Sequence, residues 1–249
     1  MDIRFDGKVA LVTGAGSGIG AATACLLASS GATVLVADLN IDAARKVVAQ
    51  ITTSGGHAIA AGGDVSKAEV VESLVARAIE LGGLHCLVNN AGIGGPNGRT
   101  ADYPIDSWHK VIGVNMDSVF FGMRYGIPAM VRGGGGAVVN IASALGLVGF
   151  EKKIAYVGAK HAVMGMTRTA ALDHARDGIR VNAIAPGFID TPMLQKLDDA
   201  RRQALISEHP VGRLGTAEEI ASLVVFLVSD QASFLTGSCY TADGGYTAH

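Results

Sequence analysis

Apolar positions along the chain follow two alternating rhythms. KVALVT (8–13) is a short, continuous apolar run rich in β-branched residues. After a glycine-rich turn, Ile19, Thr23, Leu26 and Leu27 recur at helical spacing until Gly31. TVLVAD (33–38) predicts a second strand, and Ile41, Ala44, Val47, Val48 and Ile51 predict a second helix that ends at the paired glycines 55 and 56. The alternation continues through HAIAAGGDV (57–65), a helix over about 66–81, the strand HCLVNNAG (85–92) and one long helix over about 104–131. AVVNIAS (137–143) and IRVNAIAPG (179–187) read as strands on either side of a helix over 154–177. Two shorter helices near 194–209 and 216–229 precede a last short strand near 238–241.

Buried strands regularly separated by helices imply a parallel sheet covered on both faces: an α/β, doubly wound Rossmann fold of about seven strands. No linker or repeat of 20–50 residues interrupts the alternation, so residues 1–249 are expected to form a single domain.

Composition narrows the classes. With 49% hydrophobic and only 17% charged residues in 249, the chain can bury a substantial core. A net charge of -2 offers no general attraction to nucleic acid or anionic lipid. The start, MDIRFDGKVALV, carries acidic residues and lacks the long apolar stretch of a secretory signal. VFFGMRYGIPAMV is broken by Arg124 and Pro128 and is too short to span a membrane. Cys25, Cys86 and Cys239 are odd in number and widely spaced, which suits reduced thiols in a cytoplasmic protein. The seven histidines form no H-E-x-x-H pattern, and no metal site is expected.

TGAGSGIG (13–20) lies between the first strand and the first helix. Backbone N–H groups at that helix start can face a pyrophosphate, and glycines allow its close approach. Asp38 ends the second strand, where a carboxylate can accept hydrogen bonds from the hydroxyls of an adenosine ribose and repel a 2′-phosphate. This favours NAD over NADP. A common turn-forming role for Asp38 is the competing reading. In YVGAK (156–160), Tyr156 and Lys160 stand four apart on one helical face. A cation near a phenol favours ionisation, although moving a pKa from 10 to about 7 takes about 4 kcal/mol. A solvated helix face would produce the same pair by chance.

TGAGSGIG (13–20), NNAG (89–92), Asn115, Ser143, YVGAK (156–160) and PGFIDTPM (186–193) occur in the order of the short-chain dehydrogenase/reductase family, which the chain resembles over essentially its whole length. The glycines match that family's T-G-x-x-x-G-x-G turn, whereas G-x-G-x-x-G fits them only loosely. The resemblance implies that Tyr156 is the catalytic acid/base and that Ser143 hydrogen-bonds the same substrate oxygen. It gives Lys160 the tasks of lowering the Tyr156 pKa and bonding the nicotinamide ribose, and gives Asn115 a water that links Lys160 to solvent. A kink or a packing polar is the plainer role for Asn115.

The same resemblance places Gly14, Ser17, Gly18 and Ile19 around the pyrophosphate of NAD, Asp38 at the ribose, and Asp64 with Val65 near the adenine. It also places Asn90, Ala91 and Gly92 along the central channel, and Ile189 and Thr191 at the nicotinamide carboxamide. For Asp64, a helix cap or turn is the alternative role. Leu145, Leu147, Val148, Phe150, Met193, Leu194 and Leu197 are expected either to form an apolar substrate wall, under a lid near 188–212, or to be ordinary core.

These features lead to an NAD-dependent hydride transfer on a hydrophobic secondary alcohol or ketone, with the wording of the chain most like bacterial dehydrogenases of cyclic or aryl alcohols. The C-terminal SFLTGSCYTADGGYTAH resembles the tail that packs between subunits of the family's homotetramers. A 3-oxoacyl-carrier-protein reductase is the alternative enzyme. It would need a basic face, for which Arg124, Arg132, Arg168 and Arg176 are candidates, but Asp38 opposes its usual NADPH. A non-catalytic NAD-responsive regulator is the alternative outside enzymes, and it would not need Ser143, Tyr156 and Lys160 together.

Overall fold

The first apolar run becomes strand β1 (Val9–Thr13), all five residues buried at the middle of a parallel sheet in a computed structural model that describes residues 3–192, 194 and 198–248. On one side of it lie β2 (Thr33–Asp38) and β3 (His57–Gly62). On the other lie β4 (Cys86–Asn89), β5 (Gly136–Ile141), β6 (Ile179–Pro186) and β7 (Cys239–Ala242), giving the order β3-β2-β1-β4-β5-β6-β7. Every pairing is parallel, with Thr13 opposite Ala37, Asn89 opposite Asn140 and Ile141 opposite Ile184.

Successive strand residues face opposite ways, so the apolar runs feed two cores. Ala10, Val12, Val34 and Val88 pack under α1 (Gly18–Ser29), α2 (Ile41–Thr53) and α8 (Ala217–Val228). Leu11, Leu35 and Leu87 pack under α3 (Ala68–Glu80), α5 (Ser118–Arg132) and α6 (Ile154–His174). Burial on both faces is why these strands are continuously apolar rather than alternating. The chain order reverses between β1 and β4, and a crevice at the carboxyl ends of the strands belongs at that switch point.

Two helices differ from the sequence pattern. The predicted helix over 104–131 is α4 (Ile105–Ile112) joined to α5 by a π-helical turn, Gly113–Asp117, that holds Asn115. Apolar spacing does not register one widened turn, because the side chains on either side keep their faces. The helix predicted near 194–209 is α7 (Asp199–Ser207), started by Asp198 Oδ1, which accepts a bond from the Arg201 N–H at 2.7 Å; residues 195–197 lie outside the described ones. Among the described residues, no helix is long and apolar enough to cross a membrane.

Candidate active site

At the carboxyl ends of β1 and β4, side chains lock two loops to each other. Asn90 Nδ2 donates to the carbonyls of Thr13 (2.8 Å) and Gly14 (3.1 Å), while Thr13 Oγ1 accepts from the N–H groups of Asn90 (3.1 Å) and Ala91 (3.2 Å). Gly14 turns the chain at φ 62°, and a Cβ there would stand 2.8 Å from Ala91 Cα, so any larger residue would force these loops apart. Asp38 Oδ2 accepts from the Gly16 N–H at 2.8 Å and Oδ1 from the Asn40 N–H at 2.9 Å. The carboxylate thus shapes the glycine turn as well as lining the cleft beside it. Its turn role and its ribose role are compatible, since each oxygen has a second lone pair.

The cleft, of about 700 Å³, is lined by Gly14, Ser17, Gly18, Ile19 and Asp38 at one end, and by Asn90, Ala91 and Gly92 along its middle. Ile189 and Thr191 close it from the loop after β6, Thr191 lying against the start of α1. The Ser17 side chain makes no capping bond to α1, which leaves the first-turn N–H groups for an anion. Together with Asp38, that arrangement suits a dinucleotide pyrophosphate and ribose. Among the described residues no cluster of His, Cys, Asp or Glu could hold a metal.

Asp64 and Val65 stand apart from this lining. Asp64 Oδ1 accepts from the Ser66 N–H (3.0 Å) and hydroxyl (2.7 Å), bonds that hold its carboxyl below the usual range, and Val65 is buried in the core. For Asp64 the turn role is thus realised.

Ser143, Tyr156 and Lys160 meet on the cleft's inner wall. Ser143 sits just past β5, in extended backbone, with its Oγ accepting the Leu145 N–H at 3.1 Å, and Tyr156 lies in the first turn of α6, its phenol near enough to Ser143 for the hydroxyl to favour its ionisation. Lys160, one turn on, is 3% exposed; its Nζ donates to the Ile141 carbonyl at 2.7 Å and lies 5.7 Å from the centre of the Tyr156 ring. Burial lowers the Lys160 pKa to about 8. Burial also raises the Tyr156 phenol, with Ser143 pulling the other way. The net direction for the phenol is the upward one of burial, and the Lys160 ammonium is bonded to the Ile141 carbonyl.

Asn115 lies behind this wall rather than on it. Its Oδ1 accepts from the Ile93 N–H (2.8 Å) and its Nδ2 donates to the Ile93 carbonyl (2.9 Å), so the π turn clamps the loop after β4. A Cβ built on Gly92 would sit 3.5 Å from Asn115 Oδ1 and 3.7 Å from Lys160 Nζ, which places that glycine in the gap between the two.

Of the predicted apolar wall, Leu145, Phe150 and Leu194 line the cleft. Leu147 is exposed and Val148 lies off the lining, while Met193 and Leu197 fall outside the described residues. The pattern missed Phe188, which also lines the cleft and packs 5.9 Å from Phe150, 5.6 Å from His209 and 5.5 Å from Tyr246, ring centre to ring centre. His209 is buried and accepts the Phe188 N–H at 3.2 Å; Asp243 holds the tail through the Gly245 and Thr247 N–H groups. Three stretches far apart in sequence make this cluster, and no local spacing announces it. Lys153 and Arg201 were likewise missed as lining residues.

A family model described as enoyl-(acyl carrier protein) reductase matches residues 14–247. Cyclohexanol dehydrogenase of Acinetobacter sp. strain SE19 is 47% identical over 249 residues, covering 100% of this chain and 98% of the relative. A 2,5-dichloro-2,5-cyclohexadiene-1,4-diol dehydrogenase of Sphingobium indicum is also 47% identical over 249 residues, covering 98% of each. A solved structure from Agrobacterium tumefaciens, provisionally described as a 2-deoxy-d-gluconate 3-dehydrogenase with bound NADP, superposes with a TM-score of 0.92 at 35% identity over 100% of this chain and 99% of that one. With the family model and these relatives spanning nearly its whole length, and with the glycine turn, Ser143, Tyr156 and Lys160 gathered at one cleft, the chain belongs to the short-chain dehydrogenase/reductase family.

Proposed function

We propose that this protein is an NAD-dependent dehydrogenase that interconverts a hydrophobic cyclic secondary alcohol and its ketone. The observation that carries the reading is that Ser143, Tyr156 and Lys160 line one wall of a cleft with the glycine turn and Asp38 at one end and Phe150 and Phe188 lining it elsewhere. The ring substrates named for both relatives accord with those aromatic walls.

Bound nicotinamide supplies the hydride acceptor or donor; the proton is the protein's task. Tyr156 takes the hydroxyl proton during oxidation and returns it during reduction, while Ser143 steadies the same oxygen. Because burial holds the phenol protonated at neutral pH, oxidation should accelerate on the alkaline side. Lys160 answers to the nicotinamide ribose and adds positive charge near the phenol. Asn115, whose amide is taken by Ile93, holds a relay water through its remaining hydrogen-bonding capacity. By the family resemblance Asp64 and Val65 would lie towards the adenine, off the cleft lining itself, and Ile189 and Thr191, which do line it, would meet the carboxamide.

Asp38 supports NAD over NADP, and its neighbours Leu39 and Asn40 bring no cation to a 2′-phosphate. The described residues of the segment near 188–212 form the substrate lid in this reading, with Leu194 and Leu205 among the cleft residues they supply. Exposed Phe120, Leu172 and Phe234 support a homotetramer, and three free, separated cysteines support a cytoplasmic setting. NADH absorbance with cyclohexanol and a panel of secondary alcohols tests the reading. The expected result is turnover of ring alcohols, with kcat/KM for NAD+ at least about tenfold above NADP+, or about 1.4 kcal/mol. Turnover confined to acyl-carrier substrates with NADPH would overturn it in favour of a 3-oxoacyl-carrier-protein reductase.

A further inference from the structure

Besides Lys160, two cations line the cleft, and among the described residues neither is ion-paired with a carboxylate. Lys153 stands at the start of α6, three residues before Tyr156, and its Nζ donates to the carbonyls of Gly94 (3.2 Å) and Gly95 (3.0 Å). An ammonium has three N–H groups, so one remains for a ligand. Arg201 reaches the same cleft from the first turn of α7. The two are close enough for Arg201 to depress the Lys153 pKa, after the larger effect of burial.

The nearby acids are committed elsewhere. Asp190 gives both oxygens to Arg202, at 3.2 and 2.6 Å, Asp198 caps α7, and Glu151 pairs with Lys152. Among the described residues the one carboxylate lining the cleft is Asp38, which is bonded to the glycine turn. Half-buried Lys153 loses hydration and is repelled by the exposed Arg201, and an anionic ligand relieves both costs.

We propose that the substrate carries a carboxylate as well as its secondary hydroxyl, and that Lys153 and Arg201 bind that carboxylate. The inference rests on the dehydrogenase reading and narrows its substrate class to hydroxylated ring carboxylates. Phe150 and Phe188 would face the ring while the cations fix its charged substituent.

The test compares cyclohexanol with 4-hydroxycyclohexanecarboxylate, which share ring and reacting group, using NAD+ and the wild type, Lys153→Met, Lys153→Arg and Arg201→Gln proteins. The wild type should favour the carboxylate in kcat/KM by roughly tenfold to hundredfold, the worth of a charge-assisted hydrogen bond. Lys153→Met and Arg201→Gln should each cut that ratio about tenfold, and Lys153→Arg should keep most of it. A wild type that turns over cyclohexanol equally well or better overturns the carboxylate site and leaves the dehydrogenase intact. Turnover of neither ring overturns the dehydrogenase. Calorimetric binding of cyclohexanecarboxylate against cyclohexanecarboxamide then decides the cation pair by itself: anion binding weakened by Arg201→Gln supports it, and equal affinity for acid and amide overturns it.

Discussion

The two ends of the cleft are built by different means. At the dinucleotide end every group sits at or just past the carboxyl end of a central strand, and short bonds between neighbouring loops hold it: Asp38 to Gly16, Asn90 to Thr13 and Gly14. At the substrate end the wall is drawn from Leu145, Phe150, Phe188, Leu194 and Leu205, and rings packed edge to face hold it from behind: Phe188 against His209 and Tyr246. The first end depends on backbone geometry, which tolerates few residue types. The second depends on side-chain shape, which many combinations satisfy. Specificity can therefore vary at one end without disturbing hydride chemistry at the other.

The sharpest break lies where the ends meet. Tyr156→Phe removes one oxygen and keeps the ring, so kcat should fall by about 10²–10⁴, the usual worth of general acid–base catalysis, while the NAD+ dissociation constant stays within a few-fold. Stopped-flow turnover and cofactor titration on one preparation check it. Turnover close to wild type would show that the phenol only packs.

Lys160 tests the same junction through stability. Its folded pKa of about 8 lies below the 10.5 of an unfolded lysine. Below pH 8 the ammonium is charged in both states, and the penalty of burying it is fully present. Between pH 8 and 10.5 the folded protein releases its proton first, so the penalty fades as pH rises. A gap of 2.5 pH units corresponds to about 3 kcal/mol, less about 1 kcal/mol for the Ile141 carbonyl left unpaired. Lys160→Met should accordingly be inactive yet more stable than wild type at pH 7, by about 2 kcal/mol, and denaturant midpoints should show that advantage shrinking towards pH 10. A destabilised variant at pH 7 would mean that the ammonium is better solvated than its burial implies.

This contrast also explains what the sequence disclosed. Continuous apolar strands and 3.6-residue periods made the doubly wound sheet legible, because burial on both faces leaves little choice of residue. The glycine turn and Asp38 were readable from their places between strand and helix, whereas Ser143, and the roles of Tyr156 and Lys160, came only through the family resemblance. The π turn at Asn115 was not legible, since one widened turn leaves the apolar period unchanged. Phe188, His209 and Tyr246 were not, since each is an ordinary core residue until the chain brings them together. Asp64 carries two readings in one residue type, and its bonds to Ser66 establish the turn.

Asp38→Ala probes the dinucleotide end alone. It removes the acceptor for the Gly16 and Asn40 N–H groups and the ribose hydroxyls, so kcat/KM for NAD+ should drop about tenfold to thirtyfold, or 1.4 to 2 kcal/mol. The value for NADP+ should rise or hold, because the repulsion goes with the carboxylate. Equal losses for both cofactors would assign Asp38 to the turn alone.

The smallest effect belongs to the substrate end, where Tyr246→Leu keeps an apolar side chain but removes the edge-to-face contact on Phe188, at 5.5 Å, and the tilted contact on His209, at 5.6 Å. Such pairs contribute about 0.5–1.5 kcal/mol beyond buried area. Phe188 lines the cleft and Tyr246 packs against it, so the loss should reach the substrate through a loosened wall rather than a missing contact. KM for a ring alcohol should rise about two- to tenfold, with the NAD+ dissociation constant unchanged and kcat reduced less than KM rises. The Asp243 bonds to Gly245 and Thr247 keep the tail anchored, which separates this outcome from general unfolding. If NAD+ affinity fell in step with KM, the two ends would be mechanically coupled through the loop that carries Phe188, Ile189 and Thr191, and their independence would be lost.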